Sequence, residues 1–147
     1  MTNMAMVLPV TLEWEGGWSD NKHDKGGATM KGIILRTYQR FKPGATKEDL
    51  RRISDAEVTE IYAKDYGEPI GIEGLQLGVA MVAFDFGVNS GVARAKSALA
   101  TTRGTNDPVM RVHQIAARRL SFLQGCTTGN SSAQDGGDVS PLLRQSQ

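Results

Sequence analysis

Apolar positions recur at helical spacing along most of the chain, separated by polar and glycine-rich breaks. Met4 to Leu8 is a short apolar run. Proline suits a first helical turn and glycine follows a helix end, so Pro9 and Gly16-Gly17 predict a short helix between them. From Gly17 to Gly32 the periodicity lapses into Ser19-Asp20-Asn21-Lys22 and Asp24-Lys25-Gly26-Gly27, the pattern of a loop with a small irregular hairpin. Ile34, Leu35, Tyr38 and Phe41 predict a helix over 33–41, stopped by Lys42-Pro43-Gly44. Thr46-Lys47-Glu48-Asp49 resembles a helix start, and Ser54-Asp55-Ala56-Glu57 is a capping box. Behind the box Val58, Ile61, Tyr62 and Tyr66 form one apolar stripe. Leu75 to Val88 is apolar all round, as a buried central helix must be, and Asn89-Ser90-Gly91 interrupts it. Helical spacing resumes from Val92 to Leu99, and a last helix is predicted from Pro108 to Leu123, with Gly125 past its end. Cys126 to Gln147 is polar with few apolar residues, and reads as a disordered tail. The expectation is a mainly α domain over residues 1–125, with a small β-hairpin or loop, and a tail over 126–147.

Composition narrows the function classes. A chain of 147 residues is one domain's worth. Lys plus Arg is 17 against 16 acidic residues, and this balance disfavours a protein that grips nucleic acid with its whole surface. The apolar run near the start falls short of the ~20 residues a membrane span needs, and it lacks the basic start and cleavage site of a signal peptide. Synthesis in the cytoplasm and no stable membrane insertion are therefore expected. The single Cys126 makes neither an internal disulfide nor a multi-cysteine metal site, and His23 and His113 show no ligand spacing. Glycine occurs 17 times, and two of its three Gly-Gly pairs, Gly16-Gly17 and Gly26-Gly27, fall in the loop region.

That loop region carries the candidate chemistry. On a helix, Glu15 falls on the side of Leu8 and Leu12, while Glu13 points elsewhere. A carboxyl on an inward face beside an aromatic is desolvated, which favours its protonated form and equips it to give a proton to a leaving oxygen. The alternative is a solvated residue at a helix end. Eight residues separate Glu15 from Asp24, and four separate Asp24 from Thr29. Two carboxyls and a hydroxyl gathered around one water suit hydrolysis of a glycosidic bond, where one group protonates the leaving oxygen and another activates water. Equally, Asp24 and Thr29 fit local roles in a turn. Asp85, alone in an apolar helix, either supports a polar network or faces a cleft. Asn89 either bonds a ligand or caps the next helix, and Trp18 either stacks on a sugar or fills the core. Arg111, Arg118 and Arg119 share the last helix, as a solvated face or an electrostatic attractor for an anionic partner.

Glu15-Gly16-Gly17-Trp18, then Asp24, Gly26-Gly27-Ala28-Thr29 and Gly32-Ile33, resemble the signature of glycoside hydrolase family 108, lysozyme-like N-acetylmuramidases common among phage endolysins. Phe84-Asp85-Phe86 to Asn89-Ser90-Gly91 resembles a second motif of that family. Trp18 stands where the family usually has Tyr. The resemblance covers roughly Leu12 to Leu123, and the stretch from about residue 92 is similar to the opening of a peptidoglycan-binding region, whose later Gly-Trp-x-x-Arg-like element is missing. It implies a lysozyme-like fold that cleaves the β-1,4 bond between N-acetylmuramic acid and N-acetylglucosamine, with Glu15 as general acid. Asp24 and Thr29 are candidates for handling water, and Trp18, Asp85 and Asn89 for binding substrate. It implies no metal or organic cofactor, a monomer whose partners are glycan strands rather than nucleic acid, and access to the wall through a separate pore. A lytic transglycosylase and a non-catalytic wall-binding or virion module are the rival functions.

Overall fold

The computed structural model describes residues 1–21 and 27–128. Among the described residues the architecture is mainly helical with one small antiparallel hairpin, the fold class expected from the sequence. Helix α1 (Asn3–Glu13) begins well before Pro9, which lies inside it. Thr2 caps it, its hydroxyl accepting the Ala5 amide at 3.2 Å, and a second anchor is non-local. The Glu73 carboxylate accepts hydrogen bonds from the backbone amides of Asn3 and Met4, both at 2.8 Å. The Asn3 side-chain amide donates to the Ile72 and Leu75 carbonyls at 2.7 and 2.8 Å. An acidic side chain over free amides is favourable at a helix N-terminus. Here it comes from a 3₁₀ turn, Ile72–Gly74, distant in sequence.

Strands β1 (Thr29–Met30) and β2 (Ile33–Ile34) pair antiparallel, Thr29 opposite Ile34 and Met30 opposite Ile33. Lys31 and Gly32 turn between them with φ of 49° and 74°. Two successive left-handed residues make the turn type that matches strand twist. Ile33 and Ile34 therefore belong to the hairpin, and helix α2 (Leu35–Phe41) starts two residues later than its apolar spacing predicts.

Helices α3 (Lys47–Arg51) and α4 (Asp55–Tyr62) both carry complete capping boxes, from Thr46 and Ser54. Glu57 does double duty, since it also accepts the Tyr38 hydroxyl at 2.8 Å and so ties α2 to α4. The Ser54 backbone amide and the Tyr38 and Ser54 hydroxyls hold its carboxyl down at about 2. Helix α4 runs into a π-helical turn, Ala63–Gly67, and then α5 (Glu68–Ile70). Pro69 lacks an amide hydrogen and its ring crowds the preceding turn, a recognised cause of such irregularity.

Helix α6 (Leu77–Ser90) is the central element, packed against α1, α7 (Val92–Thr101) and α8 (Pro108–Thr128). Val79, Ala80, Ala83, Phe84, Phe86 and Val88 are buried along it. It passes through Asn89, whose side-chain amide bonds back to the Asp85 carbonyl at 2.9 Å, and stops at Gly91 with φ 96°. Helix α8 continues through Gly125 to Thr128, since one glycine costs a helix only about 1 kcal/mol relative to alanine. Among the described residues no helix is long and apolar enough to cross a membrane.

Candidate active site

The site assembles where the end of α1, the hairpin, α4 and α6 meet. Past Glu13 the chain keeps turning. Trp14 retains right-handed helical dihedrals, and the Glu15 amide donates to the Leu12 carbonyl at 3.1 Å. Glu15 thus stays on the side of buried Leu8 and half-buried Leu12, as helical projection predicts, while Glu13 and Trp14 face solvent.

The hairpin turn presses on it edge-on. A Cβ placed on Gly32 would stand 2.9 Å from the Glu15 carboxyl carbon and 2.5 Å from the Tyr62 hydroxyl. Position 32 therefore needs glycine twice over, for its left-handed φ and for the space the carboxyl occupies. Tyr62 reaches the same point from the C-terminal end of α4. Its hydroxyl donates to the Lys31 carbonyl at 2.9 Å. Its ring lies among Tyr66 and Phe84, with centroids 5.7 and 6.4 Å away.

This enclosure changes the chemistry of Glu15. Burial pushes its carboxyl from the ordinary 4.5 up to about 7, and the negative charge of Asp85 adds to the effect. Near neutral pH a substantial fraction of Glu15 therefore carries a proton. Burial, then the charges of Glu15 and Tyr66, raise the Tyr62 phenol far above its usual range, so it stays a neutral donor.

Asp85 lies on α6 within electrostatic reach of Glu15. One carboxylate oxygen pairs with the Arg119 guanidinium from α8, and the other accepts from the Asn89 side-chain amide at 3.0 Å. Asn89 therefore serves Asp85 and does not cap α7, whose N-cap is Gly91.

Of the other expected residues, Thr29 begins β1 and exchanges backbone hydrogen bonds with Ser19 at 2.8 and 2.9 Å. Its hydroxyl donates to the Gly27 carbonyl at 3.3 Å, which leaves its lone pairs as acceptors. Trp18 is half-buried against the core with the Arg51 guanidinium over its ring, 5.6 Å from the centroid. Trp14, beside Glu15, is instead 79 % exposed. Asp24 and His23 lie outside the described residues. Among those described, no group of three or more His, Cys, Asp or Glu side chains is placed to hold a metal.

Tyr62 and Arg119 escaped the sequence reading. Tyr62 counted only as part of an apolar stripe, although a buried tyrosine hydroxyl demands a partner and so advertises a polar spot. Arg119 read as one of several surface arginines, because its carboxylate partner is 34 residues away.

A mainly helical fold with a small hairpin and a half-buried, readily protonated glutamate between them has the architecture of a lysozyme-like protein. The profile of the glycosyl hydrolase 108 family matches residues 8–91, more than half of the chain, and the chain belongs to that family. A solved structure of SagA from Brucella abortus is similar, with a TM-score of 0.64 and 27 % identity over 83 % of this chain and 80 % of that one. None of the curated proteins matches.

Proposed function

We propose that this glycoside hydrolase cleaves peptidoglycan, at the β-1,4 bond between N-acetylmuramic acid and N-acetylglucosamine. The observation that carries the reading is Glu15, a carboxyl held half-buried against the hairpin tip and able to keep its proton near pH 7. In this mechanism Glu15 gives that proton to the bridging oxygen as the bond from the anomeric carbon to it breaks. A water molecule adds to the anomeric carbon, and its proton passes to Asp24, with the Thr29 hydroxyl holding the water. Solvent exchange then restores both carboxyls. Trp18, Asp85 and Asn89 contact or frame the glycan. The protein acts as a monomer, is synthesised in a bacterial cytoplasm and reaches the wall through a separate pore, in the manner of an endolysin.

Purified peptidoglycan is the test. Wild type should clear a suspension and release reducing ends, and Glu15→Gln should lose at least 100-fold in rate while keeping its far-UV circular dichroism. Equal rates would reject the assignment. Mass spectra of the released muropeptides should show sugars that have gained water. Anhydro-muramic ends would instead mark a lytic transglycosylase, and wall binding without release would mark a non-catalytic module.

A further inference from the structure

Helix α8 lies beyond the span matched by the family profile, yet it sends one side chain into the site. Arg119 is only partly exposed, and it pairs with an Asp85 that is 35 % exposed. The guanidinium holds one carboxylate oxygen and Asn89 holds the other, so the carboxylate has little freedom to turn. The base of the arginine lines an apolar hollow of about 220 Å³ with Val82, Ile115, Leu120 and Leu123. Ile115 anchors the helix below it, fully buried. Val82, Asp85 and Asn89 are spaced by three and four residues, so a single face of α6 is presented to this arginine.

Among the described residues, the ionisable groups that act on Glu15 are Asp85 from α6 and the Tyr62 phenol from α4. Tyr62 is neutral, so Asp85 sets the charge Glu15 feels. A cation paired with Asp85 is placed to moderate that charge and to keep its source in one position.

We propose that Arg119 is a positioning residue of the glycosidase site, pinning Asp85 and balancing the negative field that Asp85 casts on Glu15. The inference rests on Glu15 being the general acid. Without the cation, Asp85 acts unopposed. Glu15 then holds its proton to higher pH and gives it up less readily, so turnover slows.

The experiment has two independent readouts. The first is the pH profile of peptidoglycan cleavage by wild type, Arg119→Met, Arg119→Lys, Asp85→Asn and the Arg119→Met/Asp85→Asn double variant. The second is direct titration of the ¹³C-labelled Glu15 carboxyl in the same folded proteins by NMR, which needs no turnover. Arg119→Met should move both the alkaline limb and the titration upward by roughly half a pH unit or more, with kcat lowered. Asp85→Asn should move both downward, and the double variant should follow Asp85→Asn. Arg119→Lys keeps the cation and should titrate close to wild type. A Glu15 titration that is the same in Arg119→Met and wild type overturns the proposal, as does Arg119→Lys behaving like Arg119→Met. If Arg119→Met fails to fold, an unmoved Glu15 in Asp85→Asn overturns it as well. Wild type without cleavage would remove the hydrolase reading, while the titrations would still decide whether Arg119 controls Glu15.

Discussion

Glu15 concentrates the residue-scale argument. Its folded carboxyl holds a proton up to about 7, well above its ordinary 4.5, chiefly because burial disfavours the charged form. A general acid works only while protonated, so cleavage should decline as pH rises through 7, in a rate profile measured at fixed ionic strength. The same shift affects stability. The folded state binds this proton more tightly than the unfolded chain, so its contribution is full below pH 4.5 and disappears as pH climbs through about 7. Since the group is only partly buried, solvent screening reduces the effect to on the order of 1 kcal/mol. Glu15→Gln should therefore melt higher than wild type at pH 8, and the gap should close at pH 5, in thermal scans at both pH values. Most of this was legible in the chain: helical projection put Glu15 inward, and the continued turn at Trp14 kept it there. The Asp85 charge on it was not legible, because nothing local relates positions 15 and 85.

At the scale of elements, the hairpin is the part of the site that admits least change. Gly32→Ala would force a left-handed φ on an L side chain and drive its Cβ into both the Glu15 carboxyl and the Tyr62 hydroxyl. We expect a loss of about 1–3 kcal/mol in chemical denaturation and more than a 10-fold fall in activity. Tyr62→Phe removes the hydrogen bond that holds the turn at Lys31. It should cost about 0.5–1.5 kcal/mol, measured by urea unfolding, and lower activity less than Gly32→Ala does. Capping boxes at Thr46 and Ser54 were readable because their partners lie three residues away. The Thr2 cap of α1 is just as local, but the Glu73 carboxylate that accepts the Asn3 and Met4 amides comes from another part of the chain and was not legible. The hairpin took Ile33 and Ile34 from the predicted helix for a related reason. Their apolar side chains satisfy either period, and strand pairing decided between them.

At the scale of the whole molecule, the family match ends at residue 91 but the core does not. Ala95, Ala98 and Ile115 are buried against the central helix, and Arg119 completes the polar network at Asp85. A chain ending at Gly91 should therefore lose cooperative melting and activity together, checked by circular dichroism and peptidoglycan turbidity. The apolar run of α6 announced its central place, since a helix without a polar face must be covered on all sides. The periodicity of α7 and α8 likewise announced two more helices. By itself, then, the amino-acid sequence determined the mainly helical class, most element positions and the inward glutamate, because those follow from spacing within a few residues. Only the tertiary structure decided which charges and hydroxyls surround that glutamate. Tyr62 and Asp85 reach it from two separate helices, Arg119 pairs with Asp85 from a third, and electrostatic and steric coupling depends on distance in space, which spacing along the chain does not encode.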